Sequence, residues 1–387
     1  MDIQDLDCVI TGGGIGGLAA ALALARRGAK SVRVLEQAPA LREVGAGLQV
    51  SPNGVVVLEA LGLANELRAR AVQAQAVRLR DYSGRDVLRL DLSGMDRPWY
   101  FFVHRADLLD LLANAARRAG VEIVTGTRIT AITPAERPVA TTAAGAEVSA
   151  DLMVAADGLH SVARPAINGA AEPFFTGQVA WRAVIADETA PPEAQVFMGP
   201  RRHLVSYPLP QGRRNIVAVQ ERAAWQSESW SQTDDPANLR AAFADFGAPV
   251  RDMLARVGQV HLWGLFRHPV APRWHQGGLA LLGDAAHPTL PFLAQGANMA
   301  LEDAWGLVRA LDHAQSLSGG LAAYQHLRRA RVTRVVNAAS RNAWKYHLSF
   351  PPLRLAAHTA LRLGGAIAPG RMTGQFDWLY GYDITQV

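Results

Sequence analysis

Cysteine is almost missing from this sequence, with Cys8 the single one among 387 residues. That excludes an intramolecular disulfide and any cysteine-based zinc cluster, and it fits a reducing compartment. Cys8 lies in the apolar stretch CVIT, where a buried thiol is expected rather than a reactive one. Long hydrophobic runs are missing too. No 18 consecutive apolar residues occur, so no membrane-spanning helix is expected. The nearest approach, residues 353–368, is interrupted by Arg354, His358 and Arg362. It reads as an amphipathic helix packed on the body, with a membrane surface as the lesser alternative. The opening MDIQDLDCVITGGG carries Asp2, Asp5 and Asp7 and no basic or apolar leader, which argues against a signal peptide and for the cytoplasm. Charge of one sign is not concentrated anywhere. The densest cluster, RRAR from Arg328 to Arg331, reads as a solvated helix face, and no nucleic-acid partner is expected.

What is present is a globular composition, 49% hydrophobic and 19% charged, in a chain long enough for two domains or for one domain with a large insertion. The net charge of +5 suits anionic ligands such as dinucleotides and carboxylates. Residues 7–36 read as strand, glycine turn, helix and strand. The helix carries Leu18, Leu22 and Ala25 at helical spacing and ends at Gly28. Gly12, Gly14 and Gly17 form GxGxxG between the strand and the helix. The first glycine permits the tight turn, the second lets a pyrophosphate approach the backbone, and the third lets helix and strand pack closely. The helix N-terminus offers free N–H groups to the phosphates. Glu36 ends the second strand, where a carboxylate can accept hydrogen bonds from an adenosine ribose; a solvated strand end is its plain alternative.

Two later segments repeat the arrangement of an Asp beside a Gly at the end of an apolar strand: ADLMVAADGLHSVAR at 150–164 and GLALLGDAAHPTLPFLAQGANMALED at 278–303. With GGGIGG they resemble, in order and spacing, the three fingerprints of the class A flavoprotein aromatic hydroxylases, a family that includes para-hydroxybenzoate, salicylate, 3-hydroxybenzoate and 6-hydroxynicotinate hydroxylases. The resemblance spans nearly the whole chain. It implies an α/β fold with a Rossmann-like FAD-binding domain, an inserted strand-rich substrate domain and a helical C-terminus, as in para-hydroxybenzoate hydroxylase. The expected division is 1–75, 100–176 and 271–330 for FAD, 76–99 and 177–270 for substrate, and 331–387 for the helical end. Carried over by resemblance, Gly283 and Asp284 hold the ribitol and pyrophosphate of non-covalent FAD. Gly296, Ala297 and Asn298 open a helix whose N–H groups face the pyrimidine end of the flavin. Arg105 contacts FAD, Arg42 and Gly45 lie on a flavin-proximal loop, and Pro291 lies beside the flavin. Asp157 supports FAD and nicotinamide binding, and it reads equally as a structural turn residue.

On the substrate side, HLVSYPL places His203 and Tyr207 four residues apart in a strand, so both side chains point to one face. A His and a Tyr there suit orienting and deprotonating a phenol; a core histidine and a packing aromatic are the bland alternative. Arg182 is a candidate carboxylate contact, with a structural role the simpler reading, and His287 reads as structural. The activity implied by the resemblance is hydroxylation of a small aromatic, phenolic or hydroxy-heteroaromatic, with NADH or NADPH as reductant and O2 as co-substrate, through a flavin hydroperoxide. No second dinucleotide fingerprint occurs, which fits a family whose nicotinamide has no domain of its own. The alternatives are a same-fold enzyme acting on a larger quinone-like or polycyclic substrate, and a non-enzymatic FAD-binding redox sensor. A halogenase, whose family carries WxWxIP in the insertion, is disfavoured because Trp181 is followed by RAVIA. Either a monomer or a homodimer is compatible with the sequence.

Overall fold

The run CVIT is apolar at every position but the last, the pattern of a strand covered on both faces. A computed structural model describes residues 2–41, 47–95, 99–225 and 233–387; Arg42 and Gly45 lie outside the described residues. A six-stranded sheet runs in the order His275–Gln276, Leu279–Leu281, Leu152–Ala155, Asp7–Thr11, Ser31–Leu35, Glu122–Val124. Every pairing in it except the first is parallel. Cys8, Val9 and Ile10 near its centre are fully buried. Burial pushes the Cys8 thiol up to about 12, with Asp7 adding to the shift. A thiol reagent at pH 8 is therefore expected to label Cys8 only after unfolding, as read by mass spectrometry.

The helix Ile15–Arg26 departs from the one-sided pattern expected of it, being buried on every side from Ile15 to Leu24. It is wedged between the sheet and two other helices, Arg105–Arg118 and Gly296–Asp312, the situation in which a helix is apolar all round. Its small residues allow this approach: a Cβ at Gly16 would stand 2.6 Å from Leu282 Cδ2 and 3.1 Å from Ala300 Cβ.

An eight-stranded sheet takes the order Thr233–Asp234, Val260–Arg267, Phe174–Ala186, Arg213–Glu221, Arg202–Leu209, Glu193–Gly199, Ala76–Asp81, Asp86–Asp91. Distant segments build it, and only the pair Glu193–Gly199 with Ala76–Asp81 is parallel. The two-residue period sorts its side chains. Trp181, Phe197, Leu204 and Ile216 face Leu239, Phe243, Phe246 and Val250. Those residues belong to the helices Pro236–Ala242 and Ala248–Ala255 and the turn between them. Gly247 divides the two because its N–H donates to Tyr82 O at 2.7 Å and a Cβ there would meet Ser83 O at 2.1 Å. Ala180, Val219 and Leu265 point the opposite way, onto Leu290 and Phe292.

The helix Leu317–Tyr346 carries the RRAR cluster and runs through position 331 without a break. Arg328 is wholly buried and Arg331 nearly so, which corrects the expectation of a solvated face for these two, while Arg329 and Ala330 are exposed as expected. The helix Pro351–Ile367 rests on the strand Asp86–Asp91 at Gly365, which faces Leu88, and through Arg362, whose Nε donates to Asp86 O at 2.9 Å. It does not bury a continuous apolar face, since Leu355 and Ile367 are 65% and 79% exposed. No helix among the described residues is long and apolar enough to cross a membrane.

Candidate active site

Backbone geometry makes the glycine turn. Gly12 has φ +102°, and a Cβ on it would stand 2.3 Å from Ala156 O. One on Gly17 would be 2.1 Å from Gly12 O, so the helix sits directly on the turn. Gly14 is different: a Cβ there meets no atom within 4 Å, and its backbone is extended at φ −75°. The surface above Gly14 is open, and the first helical N–H groups end there with no side-chain cap. Glu36 spans the turn. Its Oε2 accepts from Gly13 N–H at 2.6 Å and its Oε1 from Ala38 N–H at 2.8 Å. A carboxylate oxygen has a second lone pair, so this scaffold duty leaves capacity for a ribose hydroxyl.

Asp157 follows the strand Leu152–Ala155. Its Oδ2 accepts from Val162 N–H at 2.9 Å, while Oδ1 is buried with no partner among the described residues. Burial raises its carboxyl above the usual range, against the hydrogen bonds it accepts from Ser161 and Val162. Half of the group thus serves the turn and half is left for a donor. Asp284 is exposed at the turn after the strand Leu279–Leu281; desolvation raises its carboxyl, with His287 and Arg105 opposing. Arg105, which opens the helix Arg105–Arg118, is therefore brought close to Asp284 from far away in sequence. Arg164 was not singled out by sequence reasoning. Its guanidinium donates to Ala285 O, Ala286 O and Pro269 O at 3.2, 3.1 and 2.6 Å, tying the Asp157 segment to the GDAAHP turn.

Pro291 starts a single 3-10 turn, Pro291–Leu293, and the left-handed Ala294 (φ +53°) leads into the helix Gly296–Asp312. Its first internal bond runs from Met299 N–H to Gln295 O at 2.8 Å, leaving the N–H groups of Gly296, Ala297 and Asn298 as open donors. The Asn298 side chain is committed to the scaffold. Its Oδ1 accepts from Ser51 N–H at 3.1 Å and its Nδ2 donates to Gln49 O and Ala294 O at 3.0 and 2.8 Å.

A buried charge cluster braces this helix from behind. Asp303 Oδ2 accepts from Gly283 N–H at 3.1 Å and meets His287 Nε2 at 2.5 Å; Asp303 Oδ1 meets Arg328 Nε at 2.7 Å. Glu302 pairs with Arg328 and Arg331 at 2.6 and 2.7 Å and accepts from Asn53 Nδ2 at 2.6 Å. Burial opposes ionisation of both acids, but His287 and Arg328 hold Asp303 below the usual carboxylate range, and Arg328 and Arg331 do so for Glu302. Arg328→Leu leaves two buried carboxylates short of a partner, and we expect a loss of about 3–5 kcal/mol in stability by urea unfolding. Because both acids are depressed, their stabilisation is complete above the unfolded carboxylate range near pH 4 and disappears as acid takes the pH below it.

His203 and Tyr207 do share a face of the strand Arg202–Leu209, separated by roughly 13 Å at strand rise. Tyr207 stacks on Phe102 with ring centres 5.0 Å apart, and a Cβ on Gly47 would meet its ring at 2.7 Å. Asn215, its cross-strand neighbour, accepts from Gly47 N–H at 2.8 Å. Burial pushes the Tyr207 hydroxyl up, with Arg182 opposing. Arg182 lies over Trp263 at 4.5 Å. At the other end His203 stands edge-on to Phe292 at 5.1 Å, and its Nδ1 is 2.7 Å from His347 Nε2. Sequence reasoning missed His347 because it lies 144 residues away, just past the end of a helix.

The covered parallel sheet, the glycine turn open at Gly14 and a second helix N-terminus at Gly296 define a dinucleotide-binding flavoprotein. Residues 5–339 match the family described as FAD binding domain, and the chain belongs to it. It is 34% identical to 3-amino-4-hydroxybenzoate 2-monooxygenase PtmB3 of Streptomyces platensis, over 98% of this chain and 96% of that protein. It is also 34% identical to 3-hydroxybenzoate 6-hydroxylase of Polaromonas naphthalenivorans (strain CJ2), over 98% and 97%. Among solved structures, Klebsiella pneumoniae HpxO complexed with FAD and uric acid superposes with a TM-score of 0.84 at 26% identity, covering 96% of each chain. The protein is a class A flavoprotein monooxygenase with FAD as cofactor, as the three fingerprints implied.

Proposed function

We propose that this enzyme hydroxylates a small aromatic acid bearing a ring hydroxyl, of the hydroxybenzoate or hydroxynicotinate kind. The observation that carries the reading is the inward face of the strand Arg202–Leu209. It holds a buried imidazole beside Phe292 of the loop after Pro291, and a buried phenol beside Gly47 and within the field of Arg182. His203 takes the substrate's phenolic proton, Tyr207, roughly 13 Å away along the strand, orients the opposite end of the ring, and Arg182 offers charge to the carboxylate there.

The residues around the groove fit FAD. The open approach at Gly14 and the helix start after it suit the pyrophosphate, and Glu36 suits the ribose. Asp284, Arg105 and the spare oxygen of Asp157 line the middle, and the N–H groups of Gly296, Ala297 and Asn298 suit the ring's pyrimidine edge. When bound, FAD supplies the redox and oxygen chemistry that side chains lack. The protein's task is to hold the substrate dry and ionised against it. The apolar wall of Phe292, Leu290, Val219 and Ala180 excludes water. The test is a screen of 3-hydroxybenzoate, 3-amino-4-hydroxybenzoate and 6-hydroxynicotinate for stimulated NADH and NADPH oxidation, with hydroxylated product separated from hydrogen peroxide by chromatography. Stimulation by a polycyclic quinone instead would favour the larger-substrate reading. Oxidation without product from any compound would favour a redox sensor. Our reading also places the enzyme in the cytoplasm as a monomer or homodimer, which fractionation and light scattering test.

A further inference from the structure

We propose that His347 and Glu221 form a proton path from His203 to the protein surface, so that His203 is the inner end of a three-residue relay. The inference rests on the reading of His203 as the substrate's base. Glu221 Oε1 lies 2.8 Å from His347 Nδ1, and His347 Nε2 lies 2.7 Å from His203 Nδ1. His203 and His347 are 1% and 4% exposed, whereas the Glu221 side chain is 32% exposed, so the chain runs from the interior outward. Its parts come from three elements. His203 and Glu221 sit on the neighbouring strands Arg202–Leu209 and Arg213–Glu221, and His347 follows the helix Leu317–Tyr346.

Arg201 holds the three together. It has φ +59°, an uncommon conformation for a residue with a side chain. In that conformation its N–H donates to His347 O at 3.2 Å, its carbonyl accepts from Glu221 N–H at 3.0 Å, and its Nε donates to Glu221 Oε2 at 3.0 Å. The positive φ comes with the two-residue hairpin turn Pro200–Arg201 between the strands Glu193–Gly199 and Arg202–Leu209, and from that turn Arg201 reaches both His347 and Glu221.

The hydrogen bonds determine where the protons are. A carboxylate only accepts, so His347 Nδ1 carries the hydrogen toward Glu221 and His347 Nε2 is bare. His203 Nδ1 must then donate to it, which leaves His203 Nε2 as the free lone pair. The other groups facing the pair are Tyr346 from the helix, Arg201 from the turn and the apolar ring of Phe292. Burial lowers both imidazoles below their usual value; the second imidazole adds to this at His203, and Glu221 opposes it at His347. Both imidazoles are therefore neutral at pH 7.

In the step itself the substrate O–H bond breaks and a bond from that hydrogen to His203 Nε2 forms. The His203 Nδ1 hydrogen passes to His347 Nε2, the His347 Nδ1 hydrogen passes to Glu221 Oε1, and the resulting carboxyl releases one proton to water. Returning a proton to the product phenolate runs the chain backward and restores the starting tautomers.

Two measurements test the relay. In flavin-free protein labelled with 15N-histidine, NMR is expected to show His203 and His347 protonated on Nδ1. An Nε2-protonated His203 would overturn the proposal, and this arm is independent of whether any phenol is a substrate. In the flavin-loaded enzyme mixed without oxygen with 3-hydroxybenzoate, phenolate absorbance reports deprotonation. His347→Phe, which keeps a ring but no proton carrier, and Glu221→Gln, near the surface, are each expected to slow that signal about tenfold or more. Imidazole added to His347→Ala is expected to restore it. Wild-type deprotonation rates in Glu221→Gln and His347→Phe, or no restoration by imidazole in a folded His347→Ala, would show the cluster to be packing alone.

Discussion

Gly14→Val is expected to yield a folded protein that has lost its hold on FAD. The three glycines of the turn differ in what surrounds them, and that difference makes the substitution diagnostic. A side chain at Gly12 or Gly17 collides with backbone oxygens at 2.3 and 2.1 Å, so those variants disturb the fold itself. At Gly14 the backbone is extended and no atom lies within 4 Å, so valine is accepted by the protein and intrudes only on what docks there. Overpacking a close contact costs about 1–3 kcal/mol, which corresponds to roughly ten- to hundredfold weaker binding. Calorimetric titration of apoprotein with FAD, beside circular dichroism and a melting curve, checks this. Unchanged affinity in a folded Gly14→Val would mean that the cofactor does not pass over this turn.

His203→Ala is expected to lower product formation by about two to four orders of magnitude while the flavin stays bound. Tyr207→Phe should have a smaller effect, because it removes a hydroxyl that orients and keeps the ring that stacks on Phe102. The sign of the pH dependence follows from burial. Desolvation, reinforced by His347, lowers His203 well below the ordinary 6.5, so the neutral, proton-accepting form persists to more acidic pH than for a solvated histidine. The acid limb of the hydroxylation rate is expected below pH 6.5 and should vanish in His203→Ala. Measuring product against pH at constant flavin occupancy decides it. Loss of flavin with unchanged product per bound flavin would remove His203 and Tyr207 from the chemistry.

The features legible in the chain are those in which local geometry dictates residue type. A positive φ at Gly12 and contact distance at Gly17 admit only glycine or nearly so, and GxGxxG between a strand and a helix states this directly. The alternation in HLVSYPL likewise put His203 and Tyr207 on one face, because strand side chains repeat every two residues. Less could be read wherever a residue's role depends on a partner distant in sequence. Arg328 looked solvated until the fold set Glu302 and Asp303 against it, and nothing in GANMALED shows that Ser51 and Gln49 occupy the Asn298 side chain.

The sequence by itself determined the dinucleotide turn and the sheet faces, which follow from backbone sterics and short-range periodicity, and its three fingerprints carried the resemblance to the family. Only the tertiary structure decided which polar groups are spent on the scaffold and which remain for ligands. It also decided that His203 has His347 behind it and Glu221 beyond. Those pairings span 144 and 126 residues. No local pattern encodes them, because hydrogen-bond partners are chosen by how the sheets and helices close on one another.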